Sequence, residues 1–160
     1  IHFLDIENLC DAAVVTKAQV EDALNDYISR VGIADVDLVV IAANITNAPT
    51  AYFTARRMCS ARLLPPGSGK DAADLALLKA INSTPNITSF DTVIIGSGGH
   101  IFAPALAHIA AQGVNTIAVS REGALSSALR LAAHSSITLP HVSHIRRATV
   151  IDIITRKEIA

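Results

Sequence analysis

The sequence predicts one α/β domain: a mainly parallel sheet with helices covering both faces. Three observations lead there. Short apolar runs rich in β-branched residues alternate with amphipathic helical windows along most of the chain. The runs are continuously apolar, as expected of strands buried on both faces. A length of 160 residues suits one such domain and is enough to bury a substantial core.

Taken in order, "IHFLD" reads as a first strand, and "TKAQVEDALNDYISRVG" as a helix from Thr16 to Gly32. "VDLVVIAAN" is a second strand. "APTAYFTARRMCSA" is a helix with Pro49 in its first turn, where a missing N–H does little harm. "DAADLALLKAIN" places Asp74, Leu77, Leu78 and Ile81 at i, i+3, i+4, i+7 and so predicts a helix. "DTVIIG" is a strand, "IFAPALAHIAAQG" a helix ending at Gly113, "VNTIAVS" a strand and "SSALRLAAH" a short helix. "SITLP" is a last strand, stopped by Pro140. The domain therefore runs from 1 to 140. Residues 141–160 form a C-terminal extension, in which "ATVIDIIT" reads as an edge strand or as an arm on a partner, a second copy or another protein.

Composition narrows the function classes. Half the residues (51%) are apolar and 17% are charged, so the chain is globular rather than disordered. A net charge of -1 demands no polyanionic partner. Locally, however, Arg56, Arg57, Arg62 and Lys70 fall between Tyr52 and Lys70 with no acid among them, a basic patch or simply a solvated helix face. Cys10 and Cys59 form no disulfide framework, which fits a reducing compartment, and a cytoplasmic location is expected. No apolar run approaches the roughly 18 residues of a membrane span. The chain opens at Ile1 inside a strand-like run, so we expect an upstream methionine or further segment to be missing. No targeting segment is visible.

In parallel sheets functional groups collect at the carboxyl ends of the strands. Here those ends carry Asp5-Ile6-Glu7-Asn8, then Asn44, then Ser97 to His100, then Ser120-Arg121-Glu122. "PPGSGKDAADLALL" is no phosphate loop: Leu64 stands where the first glycine belongs, and Asp71 replaces the hydroxyl residue after Lys70. "GSGGH" lacks the third glycine of a dinucleotide turn, since Ile101 is there. It remains either a tight turn using glycine or a phosphate site at a helix start, which would suit a small nucleotide ligand. Asp5 ends a buried strand, while Asp71 and Asp74 share a helix face. Such acids could hold a hard cation. Their ordinary roles are a solvated strand end, an N-cap and a favourable helix-dipole partner. His141 and His144 read as a chance pair, His134 as a dipole partner and Cys10 as a thiol without an activating base.

The ordered set resembles the NYN family of PIN-like nuclease domains. Asp5-Ile6-Glu7-Asn8 matches that family's D-x-x-N, and "GKDAADLALL" its lysine and helix-opening acid, with Asp74 as the match. "VIIGSGGHIFAPALAHIAAQGVNTIAVSREGALSSALRLAAH" follows the layout of a strand, a Ser-Gly-Asp type turn, a helix, a glycine and a strand. The resemblance covers nearly all of Ile1 to Leu139. It implies a three-layer α/β/α sandwich that hydrolyses RNA phosphodiesters with Mg2+ or Mn2+. Asp5 and Asp74 would bind the metal, Asp71 would assist, and Asn8 would orient water or phosphate. Lys70, Arg56, Arg57, Arg121 and Arg130 would contact RNA phosphates, with Ser97, Gly98, His100 and Ser120 on the same rim. Where the family's turn carries aspartate, this chain has Gly99. Three accounts follow: Asp71 or Glu7 supplies the acid, His100 serves as ligand or proton donor, or the domain binds RNA or protein without cleaving.

Overall fold

The computed structural model describes residues 1–142, and the expectations for the tail beyond them lie outside it. Six parallel strands form one sheet: β1 (His2–Asp5), β2 (Val39–Ala42), β3 (Arg62–Leu63), β4 (Thr92–Gly96), β5 (Asn115–Arg121) and β6 (Ser135–Leu139). Their order is β3-β2-β1-β4-β5-β6. The chain thus steps outward from β1 to β3, then returns to the other side of β1 at β4. The reversal opens a crevice beyond the carboxyl ends of β1 and β4, where ligands of such sheets bind.

Alternate residues of each strand feed two separate cores. Leu4, Val39, Ile41 and Val119 face α1 (Ile6–Cys10), α2 (Lys17–Val31) and α3 (Ala48–Met58). Phe3, Val40, Val93, Ile95 and Ala118 face α4 (Ala72–Ser83), α5 (Ala103–Ala111) and α6 (Ser127–Ala132). The fold is therefore a three-layer α/β/α sandwich with an all-parallel sheet. This alternation aims the site: Ile1 and Phe3 belong to the α4 side, so Asp5, next in step, points toward α4.

Local chemistry accounts for the helix limits. Thr16 and Gln19 form a reciprocal capping box at the start of α2. Its buried Val20, Ala23, Leu24 and Tyr27 then follow the helical stripe. α5 begins later than the sequence suggests, after a 3-10 turn over His100–Phe102. Two elements were not anticipated. α1 starts one residue after β1, and its five residues are too few to display a period. β3 has two residues, one of them the exposed Arg62, so it shows no apolar run. No helix among the described residues is long and apolar enough to cross a membrane.

Candidate functional site

Asp5 is not a solvated strand end. It is buried, and it caps α1. Its Oδ1 accepts the Asn8 backbone N–H at 3.1 Å, and its Oδ2 accepts the Asn8 side-chain amide at 2.8 Å. The D-x-x-N spacing thus builds a helix start that locks the carboxylate in place. Asn8 uses one of its two amide N–H donors on Asp5 and so orients that acid.

Asp74 lies in the first turn of α4, half-buried, with the Asp5 carboxyl within hydrogen-bonding reach. Its Oδ1 is buried and has no hydrogen-bond partner. Burial first, then the hydrogen bond and charge of Asp74, together raise the Asp5 pKa from 3.8 to about 7 against the lowering hydrogen bonds from Asn8. Asp74 is also raised, first by burial and then by the charges of Asp71 and Glu7, while the hydrogen bond from Asp5 lowers it. Two interacting carboxylates resist losing both protons, and Asp5 holds its proton up to about pH 7.

The turn after β4 closes the crevice. Ser97 is fully buried, and its Oγ accepts the Gly99 N–H at 3.2 Å. A Cβ on Gly98 would run into the Ala124 carbonyl, and the Gly98 carbonyl accepts the Ser126 N–H at 3.0 Å. Glycine is required there by close packing. Gly99 differs: φ -66° and ψ 133° suit any residue. A Cβ there would lie 3.7 Å from the orphaned Asp74 Oδ1. Position 99 therefore faces the acid pair, as the family's turn requires, but brings no carboxylate to it.

The other expected site residues divide. Asp71 is exposed at the N-cap position of α4 and makes no side-chain capping bond, contrary to the capping role foreseen for it. Glu7 is engaged elsewhere, accepting from the Asn44 N–H at 3.0 Å and the Asn47 amide at 2.9 Å. Among the described residues no group of three or more acids, histidines or cysteines is placed to hold a metal. No third ligand is thus preassembled beside Asp5 and Asp74 among the described residues. Lys70, Arg56, Arg57, His100 and Arg130 are exposed.

Four expected substrate contacts are corrected by burial. Ser97 and Gly98 build the turn rather than meet a ligand. Ser120 is buried and donates to the Arg121 carbonyl at 3.2 Å. Arg121 is only 2% exposed, with Nε on the Leu9 carbonyl at 2.6 Å and Nη1 on Asp26 at 2.6 Å and on the Pro140 carbonyl at 2.8 Å. It ties α1 and α2 to the sheet, and a buried arginine so engaged has no donor face for RNA. His134 likewise does more than stabilise a helix end, since its Nδ1 bonds the Thr116 hydroxyl at 2.9 Å. Burial pushes the Cys10 thiol up to about 12, which leaves no thiolate for nucleophilic work at neutral pH.

A parallel α/β/α sandwich with paired acids over the β1/β4 crevice defines a PIN-like, nuclease-type domain. The sequence model of the NYN domain matches residues 6–140, and the chain belongs to that family. No curated protein matches it. PIN-like nucleases of this kind generally depend on divalent metal ions. The donor set here fits a hard cation that takes one or two carboxylates and completes its shell with water. The unpartnered Asp74 Oδ1 is the oxygen left free for it.

The raised pKa has a consequence for stability. A carboxyl that binds its proton more tightly when folded stabilises the fold at low pH and loses that contribution as pH rises through about 7. Without metal, unfolding free energy should therefore fall between pH 4 and 7 more steeply in the parent than in Asp5→Asn. The difference should be at most on the order of 4 kcal/mol. Chemical denaturation of both proteins at each pH checks this. Parallel pH profiles would mean that Asp5 holds no such proton.

Proposed function

We propose that this chain is a metal-dependent endoribonuclease, with Asp5 and Asp74 holding Mg2+ or Mn2+. The orphaned Asp74 Oδ1 beside the proton-holding Asp5 carries the reading, because a buried acid pair is stabilised by a cation more than by water. When bound, the cation supplies a lowered water pKa and neutralises charge on the transferring phosphoryl group. Asn8 keeps both Asp5 oxygens oriented, and ionisation of Asp5 releases its proton. Lys70, Arg56 and Arg57, exposed and unopposed by acids in their own stretch, would make sequence-independent phosphate contacts.

Gly99 favours a second reading, a non-catalytic RNA-binding module on the same fold, since it leaves two carboxylates where the family carries more. Incubating single-stranded and structured RNA with Mn2+ separates them. Metal-dependent cleavage abolished in Asp5→Asn supports the nuclease. Salt-sensitive binding that survives Asp5→Ala, with no cleavage, supports the module.

A further inference from the structure

α3 buries its small residues and exposes one of its large ones. Ala48, Ala51, Thr54 and Ala55 face the core, whereas Phe53 is 63% exposed. Singly exposed apolar side chains are ordinary, so it is the surroundings of this ring that carry weight. The ring does not stand alone. It lines a groove of about 750 Å³ with Ile45, Tyr52, Arg57, Pro65 and Pro66, and the Arg57 guanidinium lies 5.9 Å from its centroid.

The walls of the groove are fixed by bonds from neighbouring elements. Tyr52 Oη donates to the Leu64 carbonyl at 2.7 Å and accepts the Ala43 N–H at 3.2 Å, which spans the ends of β2 and β3. Glu7, two residues past Asp5, holds the Asn44–Asn47 turn from which α3 starts. On the other wall, Gly67 follows Pro65-Pro66 and packs so close to Ala72 that a Cβ would lie 3.0 Å from the Ala72 methyl, two residues before Asp74.

We infer that Phe53 is a base-stacking subsite, receiving an unpaired nucleobase of an RNA strand whose neighbouring phosphates are met by Arg56 and Arg57. This rests on the reading of the chain as an RNA-binding nuclease. The charge of the groove selects the occupant. No acid lies between Tyr52 and Lys70, and two arginines flank the ring, which suits a polyanion bearing flat apolar groups. A base must leave its duplex to reach the ring, so the subsite favours single strands.

The test is fluorescence anisotropy of a single-stranded oligoribonucleotide with the full chain, in chelator to prevent cleavage. Phe53→Leu keeps the apolar bulk and removes the π face. It should weaken binding about tenfold, while Phe53→Trp binds like the parent. A strand of the same length without bases should bind the parent and Phe53→Leu equally. Equal RNA affinity of the parent and Phe53→Leu overturns the inference, and Asp5-dependent cleavage would still leave the nuclease reading standing. Absence of any RNA binding by the parent at low salt overturns both. A proline-rich peptide, or self-association, that is lost in Phe53→Leu at unchanged RNA affinity assigns the groove to a protein and overturns it too.

Discussion

Gly99→Asp should tighten Mn2+ binding by about tenfold to a hundredfold, which corresponds to roughly 1.4–2.7 kcal/mol. The backbone at 99 already has a conformation open to any residue, and the new Cβ would stand 3.7 Å from Asp74 Oδ1. A third carboxylate would therefore join the acid pair without displacing the turn. Charge count is one of the main determinants of affinity for hard cations, which is why the effect is large. The same substitution has an opposite effect without metal. A further carboxylate beside a pair that already resists double ionisation adds like-charge repulsion, so the metal-free variant should melt several degrees below the parent and recover on adding Mn2+. Calorimetric titration and thermal melts with and without Mn2+ read both effects. An unchanged titration would mean that position 99 does not face the bound cation.

Asp5→Asn should reduce RNA cleavage by about a thousandfold, the rate equivalent of losing several kcal/mol of metal-derived transition-state stabilisation. The amide keeps the shape of the carboxyl group and still accepts the Asn8 backbone N–H through its oxygen, so α1 remains capped. What is lost is charge, together with the bond from the Asn8 side-chain amide, which the new NH2 cannot accept. RNA affinity measured without metal should stay within about twofold, because phosphate contacts from arginine and lysine dominate it. Cleavage rates and binding constants measured on the same preparation separate these effects. An Asp5→Asn variant that cleaves at the parent rate would remove Asp5 from the chemistry.

Much of this arrangement is legible in the sequence, where the physics is local or periodic. The run from Ile1 to Leu4 marks a buried strand, and Asp5 at its end marks a rim. The spacing of Leu77, Leu78 and Ile81 places Asp74 at the start of a helix. The absence of an acid at 99 is also readable, from order and resemblance together. What escaped depends on contacts between distant segments. Arg121 reads as a rim cation because a charge at a strand end is ordinarily solvated. Only the fold brings Leu9, Asp26 and Pro140 around it. Ser97 and Ser120 are misread for the same reason, since burial of a hydroxyl is a property of the packed turn. α1 is too short for a periodic signal, and its consequence, a carboxylate locked by Asn8, was hidden with it. The exposed Phe53 was masked by the basic residues around it, which suggest a solvated face.

The pairing of Asp5 and Asp74 as a single cation site is tested most directly by diffraction from a crystal soaked in Mn2+, recorded at a wavelength where manganese scatters anomalously. The account predicts one anomalous peak between the Asp5 and Asp74 carboxylates, within bonding distance of Asp74 Oδ1 and with water completing the shell. Ordered carboxylates with no peak between them, at a manganese concentration that supports cleavage, would contradict it.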